Sequence, residues 1–171
     1  MRITDRYFFT VPVLELSEKL LGKVIVRRID NGEVKRFRIT EVEAYGNNDS
    51  ACHAFRGKTK RNAPMFEAGG ILYVYLCYGM FNLLNIVSGT EGSPEGVMIR
   101  CIDNIEGPGR SGRAMEITRE FNREDLTTSD RIWLEDDGFV ASNITYLKRV
   151  GIGYATQEDQ DKFWRFSIYL S

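Results

Sequence analysis

Arg38-Ile39-Thr40-Glu41-Val42-Glu43-Ala44-Tyr45 alternates side chains in the manner of a strand. Successive residues of a strand point to opposite faces. The alternation predicts Ile39, Glu41, Glu43 and Tyr45 on one face and Thr40, Val42 and Ala44 on the other. A carboxylate held beside an aromatic ring on a rigid strand suits work on a flat, electron-rich ring. The aromatic can stack on that ring while the acid activates water. The same pattern also describes a half-solvated strand face with surface acids.

The chain around this strand fills in a sheet. Residues 23–29 and 34–44 read as strands joined around Asp30-Asn31-Gly32, and Asn-Gly between two such runs signals a hairpin. Residues 11–21 read as a short helix with Thr10 as N-cap, Pro12 as an early helical residue and Gly22 as its stop. Residues 46–70 are rich in Gly, Asn, Lys and Arg and read as a long loop, a class that is usually functional or disordered. Residues 71–77 and 81–88 form a second apolar hairpin about Tyr78-Gly79-Met80, and 97–102 another strand. Residues 108–117 look helical despite Gly112, and 131–134 and 164–169 read as closing strands. The expectation is an α+β fold: one domain over residues 1–171, with a curved, mainly antiparallel sheet, peripheral helices and a protruding β-hairpin.

Three residues sit oddly in this scheme. Tyr78 occupies a turn tip, where polar residues are usual. It implies a partner interface, a wedge between stacked bases, or a tip folded back on the domain. Asn85 shares a strand face with Phe81, Leu83 and Val87. A buried amide needs partners, or it costs roughly 1–3 kcal/mol. It either bonds neighbouring backbone or lines a pocket. Arg100, in Val97-Met98-Ile99-Arg100, needs an anionic partner if it points inward, and Glu43 is the obvious candidate.

Composition narrows the class. With 171 residues and 43% hydrophobic residues, the chain can bury a core without staples. The N-terminus shows no signal-peptide pattern and no run approaches a membrane span, so an intracellular protein without membrane contact is expected. The 3 cysteines are odd in number and widely spaced, which fits a reducing compartment. With 1 histidine and no C-x-x-C or H-E-x-x-H pattern, no metal site or other cofactor is expected. Nucleotide-loop and nucleophile-elbow patterns are absent as well. Net charge is −1, but the distribution is uneven. Arg56, Lys58, Lys60 and Arg61 form a run without an acid. Lys23, Arg27, Arg28, Lys35, Arg36 and Arg38 form a second basic concentration, while Glu135-Asp136-Asp137 and Glu158 to Asp161 gather acid elsewhere. Such segregation predicts one cationic face, although each run alone also fits an ordinary solvated surface.

Taken in order, Thr40 to Tyr45, Cys52-His53-Ala54-Phe55-Arg56-Gly57-Lys58-Thr59-Lys60-Arg61-Asn62, Met65-Phe66 and Leu72-Tyr73-Val74-Tyr75-Leu76-Cys77-Tyr78-Gly79-Met80 closely resemble the alkyladenine (3-methyladenine) DNA glycosylase family. The likeness continues through Leu84-Asn85-Ile86, Val97 to Arg100, Glu106 to Arg110, Arg149 to Ala155 and Lys162 to Phe166. It implies a monofunctional enzyme that hydrolyses the bond between sugar and damaged purine in double-stranded DNA, acting as a monomer. It implies Glu43 as general base and Arg100 as the group that helps hold the attacking water. Tyr45, His53 and Tyr75 would line the base pocket, and Asn85 would exclude normal guanine. Tyr78 would be the intercalating wedge. Met80 beside it and Arg56, Lys58, Lys60 and Arg61 are expected to touch DNA. One departure is the connection from Gly46 to Cys52, which is shorter than the family's and lacks its Leu-Gly-Pro opening.

Two rival readings remain at this stage. A non-catalytic nucleic-acid-binding module shares the basic loop and exposed aromatics but has no use for Glu43 and Arg100 in a pocket. A hydrolase of free nucleosides has no need for Tyr78 or the basic run.

Overall fold

The computed structural model describes residues 1–170. Its eight strands are β1 (Val24–Arg28), β2 (Val34–Tyr45), β3 (Leu72–Cys77), β4 (Phe81–Val87), β5 (Gly96–Ile102), β6 (Ile132–Glu135), β7 (Thr145–Leu147) and β8 (Arg165–Ser167). They pair in the order β3-β4-β5-β2-β1-β6, with β8 joining β2 and β7 joining β8. All the pairings are antiparallel. Helices α1 (Val13–Leu20), α2 (Pro108–Ala114) and α3 (Gln157–Asp161) lie around the sheet. This is the α+β class that the strand-dominated sequence predicts.

The pleat divides the sheet by function. Val42 and Ala44 of β2, Leu72 and Val74 of β3, Leu84 and Ile86 of β4, and Val97 and Ile99 of β5 turn into one core with Leu16 and Leu20 of α1. Their neighbours Tyr45, Tyr73, Tyr75, Leu83, Asn85, Met98 and Arg100 turn the other way and line a cleft. Apolar burial on the first face holds the second face in place.

One expectation fails at the start of β2. Ile39 joins Val42 and Ala44 in the core instead of sharing a face with Glu41 and Glu43. The register shifts on both sides of Glu41: Ile39 lies opposite Ile102, Glu41 opposite Cys101 and Val42 opposite Ile99. Thr40 and Arg100 are the residues the pairing skips. A bulge of this kind re-aims side chains that strict alternation would place elsewhere.

Helix α1 also starts later than expected. Thr10 does not cap it; Pro12 stands at the N-cap without a side-chain bond. The Glu95 carboxylate accepts from Val13 N–H at 3.2 Å and does the capping from a distant loop. Gly22, at φ +81°, ends the segment as anticipated. Helix α2 stops at Ala114. Gly112 is required there because any Cβ would collide with the Asn82 carbonyl of β4. Strand β7 and helix α3 carry no periodic signal and were not foreseen. They have only 3 and 5 residues and rely on tertiary partners.

The second basic concentration is not a free cationic face. Lys23 pairs with Asp136 at 2.9 Å, Lys35 with Glu116 at 2.6 Å and Arg38 with Asp137 at 2.7 Å, and Arg36 pairs with Glu135. Arg27 is buried against Phe121. Of the acids that looked segregated along the chain, Glu135, Asp136 and Asp137 fold back onto these bases, while Asp159 and Asp161 pair with Lys162 and Lys148.

Candidate active site

The cleft has a volume of about 590 Å³ and collects residues from β2 through β5, from three connecting segments and from Pro108 at the start of α2. Tyr45, His53 and Tyr75 all line it, as do Asn85, Arg100 and Arg61. The His53 and Tyr75 rings are 4.5 Å apart at 57°, and Tyr73 stands 5.4 Å from Tyr75. The Tyr73 hydroxyl lies 3.0 Å from His53 Nδ1 and orients the imidazole. His53 is exposed as a residue, yet desolvation of its ring among these aromatics, with the Arg61 charge added, lowers the imidazole's proton affinity below its ordinary value. His53 is therefore neutral at pH 7. Burial raises the Tyr75 and Tyr45 hydroxyls far above their usual range, so both remain phenols.

Glu43 lies beneath the floor. It is 0% exposed and is not itself a lining residue. The three groups that hold it all line the cleft. Tyr45 donates its hydroxyl to Oε1 at 3.2 Å, Val150 donates its backbone N–H to Oε2 at 2.7 Å, and an Arg100 terminal nitrogen stands 3.6 Å from Oε1. Burial raises the carboxyl above the usual range, against the opposing pull of Arg100, Val150 N–H and Tyr45. Desolvation disfavours the charged form, and these partners offset it only in part. A carboxylate so placed is a stronger base than one in water.

Arg100 differs from expectation in its first partner. Its Nε–H donates to Glu41 Oε2 at 2.8 Å, closer than its approach to Glu43. Asn85 takes both of the alternatives weighed for it. Its amide nitrogen donates to the Tyr73 carbonyl at 3.2 Å, and the side chain still lines the cleft.

The hairpin tip projects. Tyr78 is 88% exposed and Met80 63% exposed. Tyr78 sits at φ +50°, a left-handed conformation that non-glycine residues adopt at a cost of roughly 1–2 kcal/mol. Tyr78 and Arg61 stand at the mouth of the cleft, whereas Met80 borders a smaller hollow with Phe81 and Arg113. Arg56, Lys58 and Lys60 are exposed on the loop beside it and do not line the cleft. That loop is pinned by buried Asn62, whose amide donates to the His53 and Gly57 carbonyls at 3.0 Å each.

Several site residues escaped the sequence reading. Glu41 looked like a surface acid. Tyr73 and Met98 fell within the motifs of the resemblance but carried no assigned role. Val150 contributes through its backbone, which leaves no side-chain signal. Arg149 and Asp49 form a fully buried pair that fixes the loop carrying Val150. Among the described residues, no group of three or more His, Cys, Asp or Glu is arranged to hold a metal ion, and no helix is long and apolar enough to cross a membrane.

The methylpurine-DNA glycosylase family model matches residues 7–107 and 103–171. The chain belongs to that family. A Methanocella arvoryzae protein provisionally named 3-methyladenine DNA glycosylase is 41% identical over 187 residues, covering 97% of this chain and 92% of the relative. A Borreliella afzelii protein with the same provisional name is 37% identical over 177 residues, covering 96% of this chain and 95% of its own. The Arabidopsis thaliana DNA-3-methyladenine glycosylase is 37% identical over 188 residues, covering 98% of this chain and 72% of its own. As a methylpurine-DNA glycosylase the chain is a DNA-repair hydrolase of N-glycosyl bonds, and DNA is its substrate.

Proposed function

We propose that this glycosylase flips alkylated and deaminated purines out of duplex DNA and hydrolyses their N-glycosidic bond, starting base excision repair, with Glu43 as general base. The observation that carries this reading is the buried Glu43 carboxylate under a ring-lined cleft, gripped by three groups that reach that cleft.

A base inside a duplex hides its glycosidic bond, so the nucleotide must be extruded, at a cost of a few kcal/mol. Tyr78 fills the vacated space in the stack. Arg56, Lys58, Lys60 and Arg61, which have no carboxylate partner within salt-bridge reach among the described residues, hold phosphates and set the register. The purine lies among Tyr45, His53 and Tyr75, where stacking contributes roughly 1–3 kcal/mol per base. Alkylation at a ring nitrogen makes the purine cationic, which suits the faces of electron-rich rings and a neutral imidazole. The same charge makes it a good leaving group. As the bond breaks, the sugar gains oxocarbenium character. Glu43 stabilises that cation and accepts the proton of a water held between it and Arg100. Asn85, fixed by backbone bonds, crowds the exocyclic amine of normal guanine. All these side chains come from one chain, so a monomer suffices.

The test is Glu43→Gln on a lesion duplex. Binding should persist while single-turnover base release collapses. Release near the unaltered rate would sink the reading. A rise in etheno-base fluorescence on binding that survives Glu43→Gln but not Tyr78→Ser would separate flipping from chemistry.

A further inference from the structure

Arg100 has two carboxylates within reach and treats them unequally. Its Nε–H is 2.8 Å from Glu41 Oε2, a good hydrogen bond, whereas its terminal nitrogen is 3.6 Å from Glu43 Oε1, beyond hydrogen-bond distance. Glu41 is itself clamped. Arg165 approaches its other oxygen at 3.3 Å, and Arg165 is tethered by its Nε–H to the Lys148 carbonyl at 2.7 Å. The Cys101 thiol lies 3.6 Å from Glu41 Oε2, and burial pushes that thiol up to about 11, so it remains protonated and able to donate. The bulge sets this geometry, since Arg100 is a residue that the β2–β5 pairing skips.

We infer that Glu41 is a positioning residue: it takes the Nε edge of Arg100 and so keeps that guanidinium from closing on Glu43. The inference rests on Glu43 being the general base. A guanidinium forms its strongest contact as a two-bond fork on one carboxylate. A fork on Glu43 would hold that carboxylate in a tight ion pair and make it a poor base. Glu41 diverts one edge of the fork and leaves the nearest terminal nitrogen beyond hydrogen-bond distance of Glu43.

The readout is the acid limb of base release, measured in single turnover on a 7-methylguanine duplex. That lesion is already cationic, so the limb reports the base alone. Glu43 is faced by Tyr45 and Glu41 of β2, Tyr75 of β3, Arg100 of β5, Arg165 of β8, and Arg149, Tyr154 and the Val150 N–H of the following loop. Glu41→Gln keeps an acceptor for Arg100 but removes the charge that competes for it. The limb should move down by about one pH unit, as expected when a cation closes on a carboxylate. The plateau rate should fall about 10-fold or more, with lesion binding unchanged. Glu41→Asp draws the same charge back and should move the limb the same way by less; it serves if the Gln variant does not fold. In a Glu43→Gln background the Glu41 change should have no further effect on the residual rate.

An acid limb that stays in place or moves up, or an equal loss of rate in both backgrounds, overturns the inference. The two readings fail separately. If Glu43→Gln remains active, the general-base assignment goes. If Glu43→Gln is dead while Glu41→Gln keeps the original limb, only the role of Glu41 goes.

Discussion

Two buried carboxylate–arginine pairs lie on either side of Tyr45 and behave as opposites. Asp49 and Arg149 are both fully buried and joined by two hydrogen bonds, one of 2.9 Å. Asp49 also accepts from the Gly46 and Ala51 N–H groups at 3.1 Å each, and Arg149 donates to the Ala44 carbonyl at 2.9 Å. Both Asp49 oxygens and both terminal nitrogens of Arg149 are committed to holding the loop, while Arg149 Nε is buried without a hydrogen-bond partner. Glu43 and Arg100 are held apart at 3.6 Å, and the Arg100 side chain keeps 15% of its surface open. On the proposed mechanism, slack rather than burial distinguishes the pair meant to react: the saturated Asp49 carboxylate, with two hydrogen bonds on each oxygen, can only hold, whereas Glu43 keeps a gap to Arg100.

The first way to break this contrast is to remove charge from the slack pair. Glu43→Gln should lower base release about 10³–10⁴-fold, worth roughly 4–5.5 kcal/mol of barrier, without loss of fold. Single-turnover kinetics with circular dichroism checks both halves. The second is to break the saturated pair. Asp49→Ala leaves a buried guanidinium unpaired and should cost about 3–5 kcal/mol of stability, read from denaturant midpoints. Activity measured well below the melting point should fall far less than with Glu43→Gln.

The third sharpens the contrast through pH. The Glu43 carboxyl titrates higher in the folded chain than in the unfolded one, because burial opposes its charge. Its stabilising contribution is therefore complete below the ordinary glutamate range and is lost as pH rises through the folded value. Once ionised at alkaline pH the group weakens the fold, and Glu43→Gln should raise Tm there. At pH 4 the gain should vanish. A constant gain at both pH values would mean that packing, not charge, causes it. The smallest effect is the baseline. Lys148 and Asp161 pair at 2.7 Å with half of each side chain in water. Lys148→Ala should leave Tm unchanged within error, since such pairs trade solvation for a screened attraction.

What the sequence revealed divides along the same line. The face carrying Glu43, Tyr45 and Asn85 was legible because strand parity is a local property; Tyr75 came only from the family resemblance, and the direction of Arg100 stayed open. Ile39 was misplaced because the bulge depends on a skipped residue in a different strand. The basic concentration around Lys23 to Arg38 was read as a free surface because its neutralising acids lie about a hundred residues further on. Glu41 was passed over for a similar reason: a carboxylate two residues from another looks redundant until Arg100 shows which of them it prefers. Val150 was illegible in principle, since a main-chain N–H belongs to every residue but proline.

That main-chain contact has a bearing on how the enzyme comes into being. The strands that carry Glu43 and Arg100 are complete by residue 102, yet the amide that clasps Glu43 and the Asp49 tie that steadies it come from positions 150 and 149. A translation product that stops short of residue 149 would lack both that clasp and the wall of the hollow that Val150, Gly151, Ile152 and Tyr154 supply.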